Sequence, residues 1–231
     1  MPIPTYLSVL FILVTFLTIG LFLAAISNPK EGLRLRVFLI ILIWAAMHSF
    51  IAWMGFYGEN PDAVPPRLAL VLIPTLIFFL VLFFSHWGRE FLNILDLRAL
   101  TMISIVRIPV EIGLYGLFVA GAVPELMTFA GRNFDILAGI TAPFVAVFCF
   151  GGGNVKSGIV RWWNIISLLL LIFIIGNAVL SAPSPFQQFG FEQPNVALFQ
   201  FPVILLPAII VPLVLLSHIA SLRLLKKENE N

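Results

Sequence analysis

Long apolar runs separated by short polar breaks divide the chain into seven segments, at about residues 5–26, 37–57, 68–87, 101–123, 135–150, 159–180 and 196–222. Most approach the ~20 residues a helix needs to cross a hydrocarbon layer. None shows the alternating ~10-residue pattern of a membrane β-barrel. The pattern predicts an all-α polytopic membrane protein, a bundle of seven transmembrane helices in one integral domain. Seven spans of ~21 residues consume most of the chain and leave no room for a soluble domain. The first segment lacks a basic leader, and its apolar run exceeds the ~7–15 residues of a signal peptide, so it reads as a retained span.

The breaks carry turn chemistry: GENPDAVPPR after the second segment, GGGNVKSG after the fifth, SAPSPFQQFGFEQPN after the sixth. REFLNILDLRAL, residues 89–100, alternates charges with apolar residues at helical spacing. It predicts either a short interfacial helix or the first turns of the fourth span. Pro202, Pro207 and Pro212 bend the seventh segment or delay its helical start. No internal repeat is visible, so inverted-repeat transporter folds get no support.

Composition agrees with this pattern. Hydrophobic residues make up 61% of the 231 residues and charged residues only 10%, against ~25% charged in a soluble domain. A net charge of +2 is too small to imply a nucleic-acid partner, so the expected partners are the bilayer and a small-molecule or lipid ligand. Cys149 stands alone in an apolar run and reads as a small buried hydrophobe. Oligomeric state is not legible.

The placement of charge says more than its sum. With the N-terminus outside, the inner side holds Lys30, Arg34, Arg36, Arg89, Arg98, Lys156, Arg161, Arg223, Lys226 and Lys227, ten of the 13 basic residues. The outer loops hold only Arg67 and Arg132. The positive-inside rule therefore predicts the N-terminus out and the C-terminus in the cytoplasm, in a membrane of the bacterial cytoplasmic type. Trp87, Trp162 and Trp163 at one interface and Trp53 and Tyr57 at the other fit aromatic belts.

Against this background Arg107 and Glu111 stand out in the fourth segment. Four apart on one helix face, they are spaced to pair. Counted inward from Arg98, they lie ~13 Å and ~19 Å deep. A charge there costs about 2.5–3.5 kcal/mol on insertion scales, so intramembrane ionisable residues point to function by default. Pro109 between them frees a carbonyl near Ile105. His48 lies ~18 Å deep from the same side and is expected level with Glu111.

The outer turn PELMTFAGRNFD is the second feature. Asn133 or Asp135 reads as the cap of the fifth segment, and Arg132 as a partner of Asp135 or Glu125. Alternatively the turn is the mouth of a pocket, with Glu59, Asp62, Asn177 and the loop 186–193 around it. Five acids (Glu59, Asp62, Glu125, Asp135, Glu192) against two bases give these loops a formal balance of −3, which favours cationic or neutral ligands. The candidate ligand-binding or proton-coupling residues are therefore Glu111, Arg107, His48, Asp135, Arg132, Asn133 and Asn177.

No cofactor is expected apart from one option, a haem or metal held between His86 and His218, which both read as lying near inner ends of spans. The seventh segment has one His, not the paired HxxxH of seven-span zinc hydrolases, and no Lys for a retinal Schiff base. Phosphate-loop, HExxH and lipid head-group transferase motifs are missing as well.

The expected function is a small-molecule or proton-coupled transporter, or a ligand-binding membrane protein, with Glu111 titrating, Arg107 its charge partner and His48 a relay. The alternatives are a membrane-embedded enzyme acting on a lipid or isoprenoid, with Glu111 or His48 as general base, and a structural or accessory subunit.

Overall fold

The computed structural model describes residues 3–151 and 155–228, and every regular element among them is helical. Part of the GGGNVKSG turn, residues 152–154, lies outside the described residues. In chain order the helices are α1 (Thr5–Ala24), α2 (Leu33–Trp53), α3 (Ala69–Phe84), α4 (His86–Asn93), α5 (Leu97–Ile103), α6 (Arg107–Val119), α7 (Ile136–Phe148), α8 (Ser157–Ser181) and α9 (Val211–Glu228). A 3₁₀ turn, Ser104–Val106, joins α5 to α6, and a π-helical turn, Leu206–Ile210, precedes α9.

Five stretches are long and apolar enough to cross a membrane: Thr5–Ala24, Leu33–Trp53, Leu97–Val119, Ser157–Ser181 and Leu206–Lys227. The bent pair α3 and α4 adds a sixth if it counts as one span. By these helices the chain is a membrane-spanning protein. Its surface agrees, because Ile40, Ile43, Phe50, Leu80, Phe84 and Phe173 are exposed where a water-soluble bundle would place charges.

Three segments depart from uniform full-length spans. The third breaks at Ser85, where α4 leaves the α3 axis by 83°. Ser85 is extended there and its hydroxyl accepts from Gly88 N at 3.1 Å, capping α4. A Cβ on Gly88 would sit 2.1 Å from the Leu82 carbonyl oxygen, so the bend requires glycine. Gly88→Ala is expected to cost about 1–3 kcal/mol, the scale of forced overpacking. Thermal unfolding in detergent measures it; an unchanged midpoint would mean this contact does not hold the bend. Residues 89–100 thus hold the end of the short helix α4 and the start of α5, which is capped by Asp96 Oδ1 accepting from Ala99 N at 2.7 Å.

The seventh segment begins its helix at Leu206, ten residues later than its apolar run. Pro202 and Pro207 bring no amide donors, and Pro212 interrupts the ladder, which the π-helical turn absorbs. The fifth segment is the largest departure. α7 has 13 residues, a rise of ~20 Å against the ~30 Å of a hydrocarbon core.

The core lies between α1, the α5–α6 span and the π-helical turn with α9. Close approach of α1 and α6 depends on two small residues one turn apart. A Cβ on Gly113 would lie 2.9 Å from the Phe11 ring, and one on Gly116 2.6 Å from Leu7. At one end of the bundle Leu97, Cys149, Val160 and Leu225 cluster together. The α1 terminus joins the α4–α5 link through Ser27 N to Ile94 O and Asp96 N to Ala25 O, both 2.8 Å. At the other end Asn195 N donates to Ser181 O at 2.9 Å, and Val196 and Ala197 N to Ala122 O at 3.1 Å.

Candidate functional site

Beyond Val119 the chain does not stay at that end of the bundle. It turns at Gly121 (φ 79°) and runs back down the face of α6. Phe129 stacks on Tyr115 with ring centroids 5.0 Å apart, Asn133 Nδ2 donates to Glu111 Oε1, and Asp135 Oδ1 accepts from Arg107 Nη1 at 2.7 Å. The contacts step antiparallel, each further down α6. A Cβ on Gly139 would meet Ile108 N at 3.1 Å and Arg107 Cβ at 3.2 Å, so α7 sits tight against the same helix. Non-helical backbone at this depth must satisfy its own polar groups. Here Thr128, Gly131 and Asn133 bond back through Thr128 N to Glu125 O, Gly131 N to Thr128 O and Asn133 N to Thr128 O, at 2.8 to 3.1 Å.

This geometry corrects four expectations. The carboxylate against Arg107 is Asp135, not Glu111, despite the four-residue spacing. Asp135 is not in an outer turn: the ~18 Å from Arg107 to Val119 cannot be bridged by one guanidinium, so the chain itself returns. Asp135 makes no side-chain cap bond to α7, and Arg132 forms no ion pair with Asp135 or Glu125. Its guanidinium lies 4.4 Å over the Phe189 ring instead.

Arg107 is 2% exposed and ties four elements together. Besides Asp135 before α7, it donates from Nη1 to Ser167 O of α8 at 3.2 Å and from Nη2 to His218 Nε2 of α9 at 2.7 Å. A guanidinium only donates, so His218 Nε2 accepts and the ring proton belongs on Nδ1. Nδ1 then donates to Asn164 Oδ1 at 2.8 Å, and Asn164 Nδ2 to Val160 O at 2.8 Å. Asn133 Oδ1 accepts from Asp135 N at 3.0 Å, which closes the gap on the other side. One continuous polar chain results: Glu111, Asn133, Asp135, Arg107, His218, Asn164. Every member is 5% exposed or less. Within it Glu111 Oε2 and Arg107 Nε have no partner.

Asn164 is the member that the sequence did not single out, and His218 stood there only as a haem or metal option, not as a partner of Arg107. Counting from Arg223 puts His218 at the interface, but α9 continues to Glu228. Counted from Lys227, His218 lies nine residues in, as Arg107 does from Arg98, and both come out ~13 Å deep. His86 is far more exposed, at 83% of its side chain, with Glu90 Oε1 3.7 Å away. Both ring nitrogens of His218 are bound by protein, while His86 faces out. No group of three or more His, Cys, Asp or Glu side chains is arranged to hold a metal among the described residues.

His48 is buried but stands apart from Glu111, because α2 packs against α1 and the π-helical turn. Its Nδ1 is hydrogen-bonded to the Tyr57 hydroxyl, its ring meets Trp44 edge-on at 4.3 Å, and its Nε2 has no partner. Burial pushes the Tyr57 phenol up to about 12, so it keeps its proton. Asn177 is buried on α8 with Nδ2 unpartnered. One cleft of about 170 Å³ is lined by Tyr57, Arg67, Leu72, Pro183 and Phe186, and another of about 550 Å³ by Asn28, Asn93, Asp96, Arg98 and Lys227. Neither is lined by the polar chain.

No curated protein and no solved structure matches the sequence significantly. A family model described as a domain of unknown function, DUF8737, matches residues 63–226. That range holds α3 to α8, nearly all of α9 and the whole polar chain from Arg107 to His218, but neither His48 nor Tyr57. The chain belongs to the DUF8737 family.

Proposed function

We propose that the protein is a proton-coupled transporter of a bacterial-type cytoplasmic membrane, with Glu111 as the group that takes up and releases the proton. It crosses seven times, N-terminus outside, and the fifth crossing consists of the returning stretch 120–135 followed by α7. Support for alternating crossings comes from the ends that meet. The α1 terminus, the start of α5, the end of α7, the start of α8 and the end of α9 share one face of the bundle, and that face collects most of the basic residues.

The observation that carries the reading is Glu111 Oε2, unpartnered in a sealed residue beside a break in a span. Arg107 and Asp135 balance each other, and His218 is neutral by its hydrogen bonds. Glu111 receives one donor, from Asn133, whereas an ionised carboxylate offers about four acceptor positions. A proton on Oε2 fits where no larger ligand has room. Spans interrupted next to ionisable groups are also how many transporters build their sites.

A second reading is favoured by Arg107, whose three partners make it a lock between α6, α7, α8 and α9 in a purely structural subunit. Proteoliposomes with an acidic exterior and an internal pH dye separate the two. They are challenged in turn with inorganic phosphate, lactate, glucose and choline. At least one is expected to drive acidification with wild-type protein and none with Glu111→Gln. No acidification by wild type with any of them would leave the structural lock.

A further inference from the structure

Around the outer end of α8 lies a second set of polar atoms that the Arg107 chain does not use. Asn177 and Asn195 are 5% and 0% exposed; Asn177 Nδ2 and both amide atoms of Asn195 have no partner. Arg132 Nε and Nη2 are buried and unpartnered too. Main-chain bonds and one ring contact draw together the segments that carry the three residues. Asn195 N donates to Ser181 O at 2.9 Å and Phe189 N to Leu180 O at 3.0 Å, while Asn177 sits one turn earlier on the same helix. The Arg132 guanidinium lies over the ring of that Phe189. Gln193 Nε2 donates to Val123 O at 2.6 Å, and a Cβ on Gly190 would touch Pro124 at 3.1 Å. The stretch 189–196 is thereby held against the returning loop that carries Arg132.

The unpartnered atoms are unequal in kind. Four nitrogens can donate (Arg132 Nε and Nη2, Asn177 Nδ2, Asn195 Nδ2) and only Asn195 Oδ1 can accept. A buried donor without a partner costs about 1–3 kcal/mol, so such a set calls for an occupant rich in acceptor oxygens. The other outer cation is already satisfied: Arg67 Nη1 donates to Glu59 Oε2 and to Phe56 O, both at 2.7 Å. Among the described residues Arg132 has only the Phe189 face, which orients the guanidinium plane without neutralising it.

We propose that the outer end of α8 is a binding site for a small anion, a carboxylate or phosphate group, gripped by the Arg132 guanidinium and the amides of Asn177 and Asn195. Adjacent donors on one guanidinium match two oxygens of such a group. With Asp135 drawn in against Arg107, the outer loops keep Glu59, Asp62, Glu125 and Glu192 against Arg67 and Arg132, a formal charge of −2, so the grip comes from desolvated, directed donors rather than from the overall field. Arg132 directly precedes Asn133, whose amide holds Glu111. Resting on the transport reading, this adjacency makes the anion the substrate carried with the proton; the binding itself does not depend on that reading.

Thermal unfolding of the full chain in phosphatidylcholine nanodiscs, titrated with inorganic phosphate and separately with acetate, tests the site. A parallel set of discs containing phosphatidylglycerol, with no added anion, asks whether the same oxygens come from a lipid head-group. Wild type is expected to gain stability saturably in at least one arm. Arg132→Gln should weaken that response about tenfold or more, the scale of one charge-assisted hydrogen bond. Asn195→Asp sets a carboxylate inside the site and should remove the response. Wild-type protein that responds here but drives no acidification in the proteoliposome assay overturns the transport reading alone. No response by wild type in any arm, or an Arg132→Gln response equal to wild type, overturns the anion site.

Discussion

Arg107→Met is expected to destabilise the protein by about 3–5 kcal/mol, the loss typical of a buried ion pair that keeps one partner. The substitution leaves the Asp135 carboxylate 5% exposed with no cation, and strips a donor from both Ser167 O and His218 Nε2. Four elements meet there, so the loss should appear as global unfolding in denaturant titrations of the micellar protein. Replacing both members, Arg107→Met with Asp135→Leu, should recover most of it, because a well-packed apolar pair avoids the desolvation of two charges. Arg107→Met with Glu111→Leu should not recover it. The four-residue spacing predicts the reverse ranking of these double variants, so recovery by the Glu111 partner would contradict the geometry of the site.

Glu111→Gln is expected to do the opposite: leave the fold and remove the activity. A glutamine at this position still offers Oε1 to Asn133 Nδ2 and adds one amide where Oε2 stood, so stability should change by no more than about 1 kcal/mol. Proton movement should fall to the protein-free background, because the amide cannot exchange a proton in the transport cycle. An Arg107 variant loses activity together with its unfolding midpoint. A folded, inactive Glu111→Gln would separate a proton-handling group from a structural one; a folded variant with wild-type acidification would remove Glu111 from the mechanism.

Much of the scaffold was legible because length and apolarity decide it. The first, second and sixth runs differ from α1, α2 and α8 by a few residues at each end, since in each case a turn or charged residue stops an unbroken apolar helix. The burial of Arg107 and Glu111 followed from depth alone. Their partners did not, because depth is a coordinate along one helix while partnership depends on which helices touch. Asp135 is 28 positions from Arg107 and reaches it only through the return at Gly121 and the tight fit at Gly139. The apolar run 135–150 looked like a span in composition, and its shortfall in length was the one sign that α7 starts inside the bundle. His48 shows the same limit: its expected depth matched Glu111, but α2 packs against α1 and the π-helical turn. His218 was hidden by a counting origin, Arg223 instead of Lys227, and a helix running on to Glu228 moved it to the level of Arg107. At Ser85, by contrast, a sign was present, a serine at the edge of a charged stretch, the residue type favoured at helix N-caps.

Chemical labelling of the buried carboxyls tests the central claim most directly. A lipid-soluble carbodiimide reacts with carboxyl groups that carry a proton in apolar surroundings, and peptide mass spectrometry then shows which residue holds the adduct. The expected adduct is on Glu111, with Asp135 unmodified beside Arg107, and proton movement should fall in proportion to labelling. An adduct on Asp135 with Glu111 unmodified, or full loss of proton movement with neither labelled, would contradict the account.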